Sequence, residues 1–186
     1  QALSALLGSF NAIPAWRQSF RRGLSDLLAM NIRLALYQPD IPQNAGALMR
    51  LAACCRVPLE VIEPCGFVWS DRRLRRAGMD YADMAMVTRH DSLDAFLHAM
   101  SGRIVLLTTR GDCTYTDAKF ADGDVWLLGR ESVGVPDAVH GVADMRLRVP
   151  IAEGTRSLNV ALAGAMVLGE ALRQTDGFPG VRTNTL

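Results

Sequence analysis

The chain has 186 residues, of which 49% are hydrophobic and 21% are charged, a balance typical of a folded globular domain rather than a disordered chain. No stretch has the roughly 18 uncharged apolar residues of a membrane span, so we expect a soluble protein with no membrane partner. The formal net charge is only +1, so binding of nucleic acid would need a local basic patch.

Residues 1–29 differ from the rest of the chain. Bulky apolar residues recur there at helical spacing opposite three arginines, a pattern also typical of a membrane-surface or targeting helix. Because Met30 begins a clean apolar strand, we favour a leader or N-terminal extension of uncertain role and set it aside.

From Met30 onward, short apolar runs alternate with helical patterns. The runs predict strands at 32–37, 59–63, 84–88, 103–108, 124–128 and 145–149. The helical patterns predict helices at about 44–55, from 91 or 92 to 100, and 157–173. Such alternation is typical of an α/β domain with a mostly parallel sheet flanked by helices. We therefore expect one such domain over residues 30–175 and a C-terminal tail over 176–186.

Several common site signatures are missing. No G-x-G-x-x-G follows the first strand, and Val135-Pro136 stands where a P-loop would have Lys-Ser/Thr, which excludes a conventional NTPase. The four cysteines form no C-x-x-C pair and no histidine lies at zinc-ligand spacing from them, so we expect no metal. The three histidines have no evident partner and receive no role.

Three segments stand out because each follows a predicted strand, where ligands bind in open α/β sheets. The first is N-x-G-x-x-x-R, in which Asn44 is a predicted helix cap and Arg50 lies on the same helix. A capped helix with one arginine reaching solvent would explain this pattern equally well.

The second segment is L-x-G-x-E-x-x-G-x-P, from Leu127 to Pro136. Glycines allow the backbone to approach a ligand closely, and the Glu131 carboxylate could pair with an arginine across a site. An ordinary strand-to-helix turn is the alternative, since glycine and proline punctuate many loops. The third segment is V-P-I followed by R-S-L-N, where Ser157 and Asn159 open a helix of small residues.

Together, and in this order, the three segments resemble the motif set of the SPOUT methyltransferases, in the branch that methylates ribose 2′-hydroxyls. The resemblance covers nearly all of 31–175. The short length and segments 62–67 and 73–81 are similar to the small members that act on the ribose of the tRNA wobble nucleotide, a cytidine or uridine.

The resemblance implies a SPOUT-type, mostly parallel sheet flanked by helices with a C-terminal trefoil knot, an exception to the usual absence of knots. It also implies that the loops of the knot hold S-adenosyl-L-methionine, largely through the main chain. The cofactor-binding residues would then be Leu107, Thr108, Gly129, Glu131, Val149, Ile151, Ser157 and Leu158.

The same resemblance assigns the catalytic centre. It would comprise Arg50, Asn44, Glu131, Ser157 and Asn159, in a homodimer packed through the first and last helices. Because a guanidinium stays protonated in proteins, we expect Arg50 to bind a phosphate and stabilise developing alkoxide charge rather than act as a base.

The expected partner is tRNA, bound at its anticodon stem-loop in the cytoplasm. Phosphate contacts would come from Arg50, Arg156 and the dense basic cluster of Arg72, Arg73, Arg75 and Arg76, although charge runs are commonly just solvated surface. Two alternatives stay open. One is methylation of rRNA or of another tRNA position; the other is a non-catalytic knotted RNA-binding protein, against which the intact motif set argues.

Overall fold

The computed structural model describes residues 32–69 and 85–180. The predicted extension at 1–29, the basic cluster at 72–76 and residues 181–186 of the predicted tail lie outside these ranges. The described strands are β1 (Arg33–Tyr37), β2 (Leu59–Ile62), β3 (Val87–His90), β4 (Ile104–Leu107), β5 (Cys113–Thr114), β6 (Val125–Leu128) and β7 (Met145–Arg148). The described helices are α1 (Pro42–Cys55), α2 (Leu93–Ala99), α3 (Asp137–Val142) and α4 (Val160–Gln174).

These seven strands form one sheet in the order β3-β2-β1-β6-β4-β7-β5, and every pairing between them is parallel. In the centre, Leu34 lies between Leu59 and Trp126. Parallel strands need crossover connections, and the helical patterns between the apolar runs supply them. The prediction of a mostly parallel α/β sheet is therefore confirmed.

The connections around β4 are those in which a knot would form. After β4 the chain runs to the sheet edge as β5, returns as β6 on the other side of β4, and then inserts β7 between β4 and β5. This order is consistent with the expected trefoil knot. Passage of the chain end through a loop stays a prediction.

Both faces of the sheet are covered. On one face α4 packs closely against both β6 and α1. A Cβ added at Gly164 of α4 would come within 2.8 Å of the Leu128 side chain and 3.0 Å of the Leu48 side chain, so glycine allows this close packing. On the opposite face Phe96 of α2 and Val139 of α3 join a buried cluster with the inward side chains of the sheet. Burial of each large apolar side chain stabilises the fold by roughly 1.5–3 kcal/mol.

Two helix starts differ from their predictions. The first helix begins at Pro42 with Ile41 in the cap position, so Asn44 is already inside it and its predicted capping role is wrong. Proline suits the first helical position because no intrahelical partner is needed for its missing N–H. The last helix begins at Val160 rather than Ser157, because the Asn159 side chain caps it by accepting hydrogen bonds from the N–H groups of Ala161 and Leu162.

The remaining differences concern short elements. The third strand lies at Val87–His90 rather than 84–88, while the other predicted strands agree within one residue at each end. Strand β5 has two residues and helix α3 has six, too few for a periodic apolar pattern to reveal them.

A charged cluster crosses the first three strands. No partner for His90 is evident in the sequence, but in the fold its Nε2 lies 2.7 Å from Glu60 Oε2, and Arg33 Nη1 donates to Glu60 Oε1 at 2.6 Å. The Glu60 side chain is only 1% exposed, whereas that of Arg33 is 43% exposed. A buried carboxylate is tolerated because both oxygens have partners.

We expect Glu60→Ala to lower the free energy of unfolding by about 3 kcal/mol, because it leaves the buried His90 ring without its partner and opens a gap in the buried cluster. The matched control is Arg89→Ala, which breaks the exposed ion pair between β3 and Glu63, the residue after β2, and should cost less than about 1 kcal/mol. Urea denaturation followed by circular dichroism measures both values. Equal small losses would contradict a structural role for the buried cluster.

Candidate functional site

A cavity of about 520 Å³ opens at the carboxyl ends of β1, β6, β4 and β7. This volume lies in the range of small-molecule sites, and the carboxyl edge is where open α/β sheets bind ligands. All eight residues that the resemblance assigns to the cofactor line it. They are Leu107 and Thr108 at the end of β4, Gly129 and Glu131 after β6, and Val149, Ile151, Ser157 and Leu158 after β7.

Four of the five residues expected at the catalytic centre also line this cavity: Asn44, Glu131, Ser157 and Asn159. Arg156, expected to contact RNA, lines it as well. The sequence places these residues up to 115 positions apart, and the parallel sheet brings them together because each follows the carboxyl end of a neighbouring strand or starts the helix after one.

Arg50 is placed differently. It is exposed, and it is not among the residues that line the cavity. Along α1 it shares a face with Gln43, Ala47 and Cys54, all exposed, whereas Asn44 is buried and turned toward Glu131. Within one copy of the chain, Arg50 therefore stands apart from the other four motif residues.

A chain of side-chain hydrogen bonds links the three motif segments. Asn159 Nδ2 donates to Asn44 Oδ1 at 2.8 Å, and Asn44 Nδ2 donates to Glu131 Oε1 at 3.2 Å. The direction of the chain follows from chemistry: Asn159 Oδ1 accepts from two backbone N–H groups at the start of α4, so its NH₂ group must face Asn44. The network fixes which amide atoms face the carboxylate.

The loop after β1 also holds the loop after β6, through residues that the sequence did not single out. The Asp40 N–H donates to Glu131 Oε2 at 3.1 Å, and the Glu131 N–H donates back to Asp40 Oδ1 at 3.2 Å. Ser132 Oγ donates to Asp40 Oδ2, and Arg130 donates to the carbonyl and side-chain oxygens of Gln38. The sequence signal available for Asp40 was its position: it is an acidic residue just after β1, which ends at the same edge of the sheet as β6.

The two carboxyl groups of this contact have opposite pKa shifts. Burial raises the pKa of Glu131, and the adjacent Asp40 carboxyl raises it further. The interaction with the Glu131 side chain lowers the pKa of Asp40, and hydrogen bonds from Ser132 and from the backbone act in the same direction. Asp40 is therefore the fixed anion of the pair, and Glu131 is the group that takes up a proton more readily.

The chemistry of the lining suits a small organic ligand with polar ends. A Cβ added at Gly129 would lie 2.9 Å from Val135 Cγ1, so glycine allows the two lining residues to pack this closely. Within residues 32–69 and 85–180, no group of three or more His, Cys, Asp or Glu could hold a metal ion. Over the same ranges no helix is long and apolar enough to cross a bilayer.

The loops at the carboxyl edge of the parallel sheet converge on one cavity, and the wall of this cavity contains a carboxylate and two carboxamides. These features define an α/β enzyme that acts with a small-molecule ligand. Comparison with known proteins gives the family. The chain belongs to the SpoU rRNA Methylase family, whose model matches residues 31–169. The resemblance to the SPOUT methyltransferases is thereby confirmed.

Three similar proteins illustrate the relationship. A tRNA (cytidine(34)-2'-O)-methyltransferase of Ancylobacter novellus is 57% identical over 159 residues, which cover 84% of this chain and 99% of the relative. A solved structure described as "Structural insights into the 2-OH methylation of C/U34 on tRNA" is 40% identical with a TM-score of 0.76, covering 80% of this chain and 99% of that one. The SpoU methyltransferase AviRb from Streptomyces viridochromogenes, in complex with the cofactor AdoMet, is 24% identical with a TM-score of 0.70, covering 78% and 61%; it shares the fold.

Proposed function

We propose that the protein transfers a methyl group from S-adenosyl-L-methionine to the ribose 2′-hydroxyl of the wobble nucleotide, cytidine or uridine 34, of tRNA. One observation carries the proposal. The three motif loops line one cavity in a chain that is 57% identical to a tRNA (cytidine(34)-2'-O)-methyltransferase over 99% of the length of that relative. The dense hydrogen bonding of Asn44, Glu131 and Asn159 favours an enzyme over a purely RNA-binding protein, because binding alone does not require a pre-organised carboxylate.

The cofactor would be held by the three loops that line the cavity. Gly129 allows close packing against Val135, while Leu107, Ile151 and Leu158 offer apolar walls. When bound, S-adenosyl-L-methionine supplies an electrophilic methyl group whose bond to sulfur breaks, with the electron pair going to sulfur, as the methyl passes to the ribose oxygen. The chain itself has two tasks, namely to align the hydroxyl and to remove its proton.

The enzyme would act as a homodimer through α1 and α4. These helices pack against each other, and α4 presents Leu162 and Met166, 61% and 44% exposed, four residues apart on one face. Exposed apolar residues grouped in this way are typical of an interface rather than of free surface. A second copy of the chain is the partner that the family resemblance implies.

In the proposed dimer, Arg50 would act at the cavity of the partner copy. Arg50 is exposed on α1, a helix of the proposed interface, and does not line its own cavity, so it would reach the cavity of the partner copy. There the guanidinium would bind the phosphate next to the target ribose and stabilise negative charge on the hydroxyl oxygen.

The RNA would be the anticodon stem-loop, met in the cytoplasm. Arg156 lies at the cavity, where it could contact phosphates beside the target nucleotide. The cluster of Arg72, Arg73, Arg75 and Arg76 would add further phosphate contacts. Phosphate contacts position the RNA, so sequence selection would depend on the shape of the anticodon loop.

The deciding experiment incubates the purified protein with methyl-labelled cofactor and bulk tRNA, followed by nuclease digestion and mass spectrometry of the methylated nucleoside. We expect label in 2′-O-methylcytidine or 2′-O-methyluridine at position 34. The matched control is the same tRNA carrying a 2′-deoxyribose at position 34, which cannot accept the methyl group. Label at another tRNA position, or in rRNA supplied in parallel, would overturn the wobble assignment. Cofactor binding without transfer to any RNA would favour the non-catalytic alternative.

Asn159 allows stability and activity to be separated. Asn159→Asp keeps the oxygen that caps α4 but replaces the donor to Asn44 with a second carboxylate oxygen, so we expect the free energy of unfolding to change by less than about 1 kcal/mol. The methylation rate should fall by about 10- to 100-fold, because the amide network that holds Glu131 is broken. Asn159→Ala is the comparison and should lose the cap as well. A wild-type rate in Asn159→Asp would contradict a role for the network.

A further inference from the structure

The reciprocal contact between Asp40 and Glu131 has no place in the motif assignment, yet it lies within a dense set of hydrogen bonds beside the cavity. Five hydrogen bonds join residues 38–40 to residues 130–132, and the Gly134 N–H donates to the Arg130 carbonyl at 2.9 Å, closing the second loop on itself. Asp40 is also fixed from behind, because Gly66 packs against it so closely that an added Cβ would lie 2.6 Å from the Asp40 Cβ. Both carboxyl groups are thus held in place.

We propose that Glu131 accepts the proton of the ribose hydroxyl and that Asp40 is the positioning residue that keeps the Glu131 carboxylate at the cavity. This inference rests on the proposed methyl transfer to a ribose hydroxyl and adds the proton acceptor, which the motif resemblance leaves unassigned.

The lining itself narrows the choice of acceptor. Among the described residues that line the cavity, the charged ones are Arg130, Glu131 and Arg156. Guanidinium groups stay protonated and carry no lone pair for a proton, so the carboxylate is the acceptor in this set. Each Glu131 oxygen accepts one hydrogen bond, from Asn44 or from the Asp40 N–H, and each keeps a second lone pair.

The proton transfer balances within the proposed reaction. The hydroxyl O–H bond breaks, the proton passes to a Glu131 carboxylate oxygen, and the electron pair stays on the ribose oxygen that takes the methyl group. Glu131 changes from anion to neutral acid, and it returns the proton to solvent before the next turnover. No further reactant is needed.

Asp40 contributes through charge as well as geometry. As the fixed anion of the pair, it disfavours a second negative charge on Glu131, and burial acts in the same direction. Among the described residues, the other charged groups in the cavity lining are Arg130, which is bonded to Gln38, and Arg156. Removing the Asp40 charge should lower the Glu131 pKa, while burial continues to raise it.

The test is the pH dependence of the single-turnover rate for wild type and Asp40→Asn. Glu131 must be deprotonated to accept a proton, so the rate falls as the pH drops through its pKa. Removing the Asp40 charge lowers that pKa, so we expect the acid limb of Asp40→Asn to move to lower pH and the plateau rate to fall by about tenfold, as a weaker base is less effective. Glu131→Gln should lose the acid limb together with about 100-fold or more in rate.

Two control variants separate charge from structure. Ser132→Ala removes one hydrogen bond to Asp40 but no charge, so its acid limb should stay at the wild-type pH. Asp122→Asn removes an exposed carboxylate at the opposite edge of the sheet and should keep the wild-type rate and profile. An acid limb that stays in place in Asp40→Asn, or one that persists in Glu131→Gln, would overturn the inference.

A measurement without RNA keeps the inference independent of the methyl-transfer assay. NMR titration of protein labelled with ¹³C at the glutamate carboxyl carbons, with the Glu131 signal assigned by its loss in Glu131→Gln, gives the Glu131 pKa directly. We expect it to lie above the ordinary glutamate range in wild type and to fall in Asp40→Asn. An ordinary wild-type value would refute the raised basicity even if Asp40→Asn failed to fold. If the titration agreed but wild type transferred no methyl group to a ribose, the proposed function would fail instead.

Discussion

Replacement of Arg50 by alanine is expected to lower the rate of methyl transfer by about 100- to 1000-fold, the usual effect of losing one group that stabilises charge in the transition state. Arg50→Lys should keep part of the activity, because the ammonium retains the charge but not the two-pronged geometry that suits a phosphate. Single-turnover rates with saturating cofactor measure both. Equal loss in the two variants would count against an electrostatic role.

Mixed dimers reveal whether Arg50 serves its own cavity or that of the partner. In Gly129→Val the added side chain would collide with Val135, which also lines the cavity, so we expect this variant to lose cofactor binding. If Arg50 acts across the interface, a heterodimer of Arg50→Ala and Gly129→Val has one intact site, made of the open cavity of the first chain and the arginine of the second. If Arg50 acts within its own chain, this heterodimer has no intact site.

Random re-association of equal amounts of the two inactive variants should therefore restore about a quarter of the wild-type rate if Arg50 acts across the interface. Each variant re-associated with itself is the control and should stay inactive. No recovery in the mixture, with heterodimers verified by mass spectrometry of differently tagged chains, would place Arg50 at its own cavity.

The class of fold and the cavity could be predicted from sequence because both depend on local patterns. Apolar runs alternating with helical periods predict a parallel sheet, and the carboxyl ends of parallel strands share one edge. The residues after β4, β6 and β7 were therefore expected at one edge of the sheet. The assignment of Gly129, Val149 and Ser157 to one cofactor site came from the family resemblance, and the three residues line the same cavity.

What the sequence did not reveal depends on side-chain partners that are distant along the chain. Asn44 looks like a helix cap because caps are defined locally, but its carboxamide is used 87 residues away on Glu131. The position of Asp40 just after β1 is a signal shared by many acidic residues, and Arg130 carries none. The contacts of both exist because β1 and β6 are neighbours in the sheet. A knot is likewise a property of the whole path of the chain, which no local pattern contains.

The proposed interface leads to the second large expected effect. Leu162→Asp places a charge on the exposed apolar face of α4, and burying an unpaired carboxylate between two copies would cost several kcal/mol. We expect this variant to be a monomer by size-exclusion chromatography with light scattering, and to lose about 100-fold or more of its methylation rate, because the guanidinium of a partner is no longer at the cavity.

Cofactor affinity decides how that loss is interpreted. The residues assigned to the cofactor converge on one cavity within a single chain, so we expect the Leu162→Asp monomer to bind S-adenosyl-L-methionine within a few-fold of wild type by calorimetry. Val142→Asp, a matched change at the end of α3 on the other face of the sheet, should stay dimeric and active. A fully active Leu162→Asp monomer would show that each cavity works alone, and Arg50 would then have to act on RNA from its own chain.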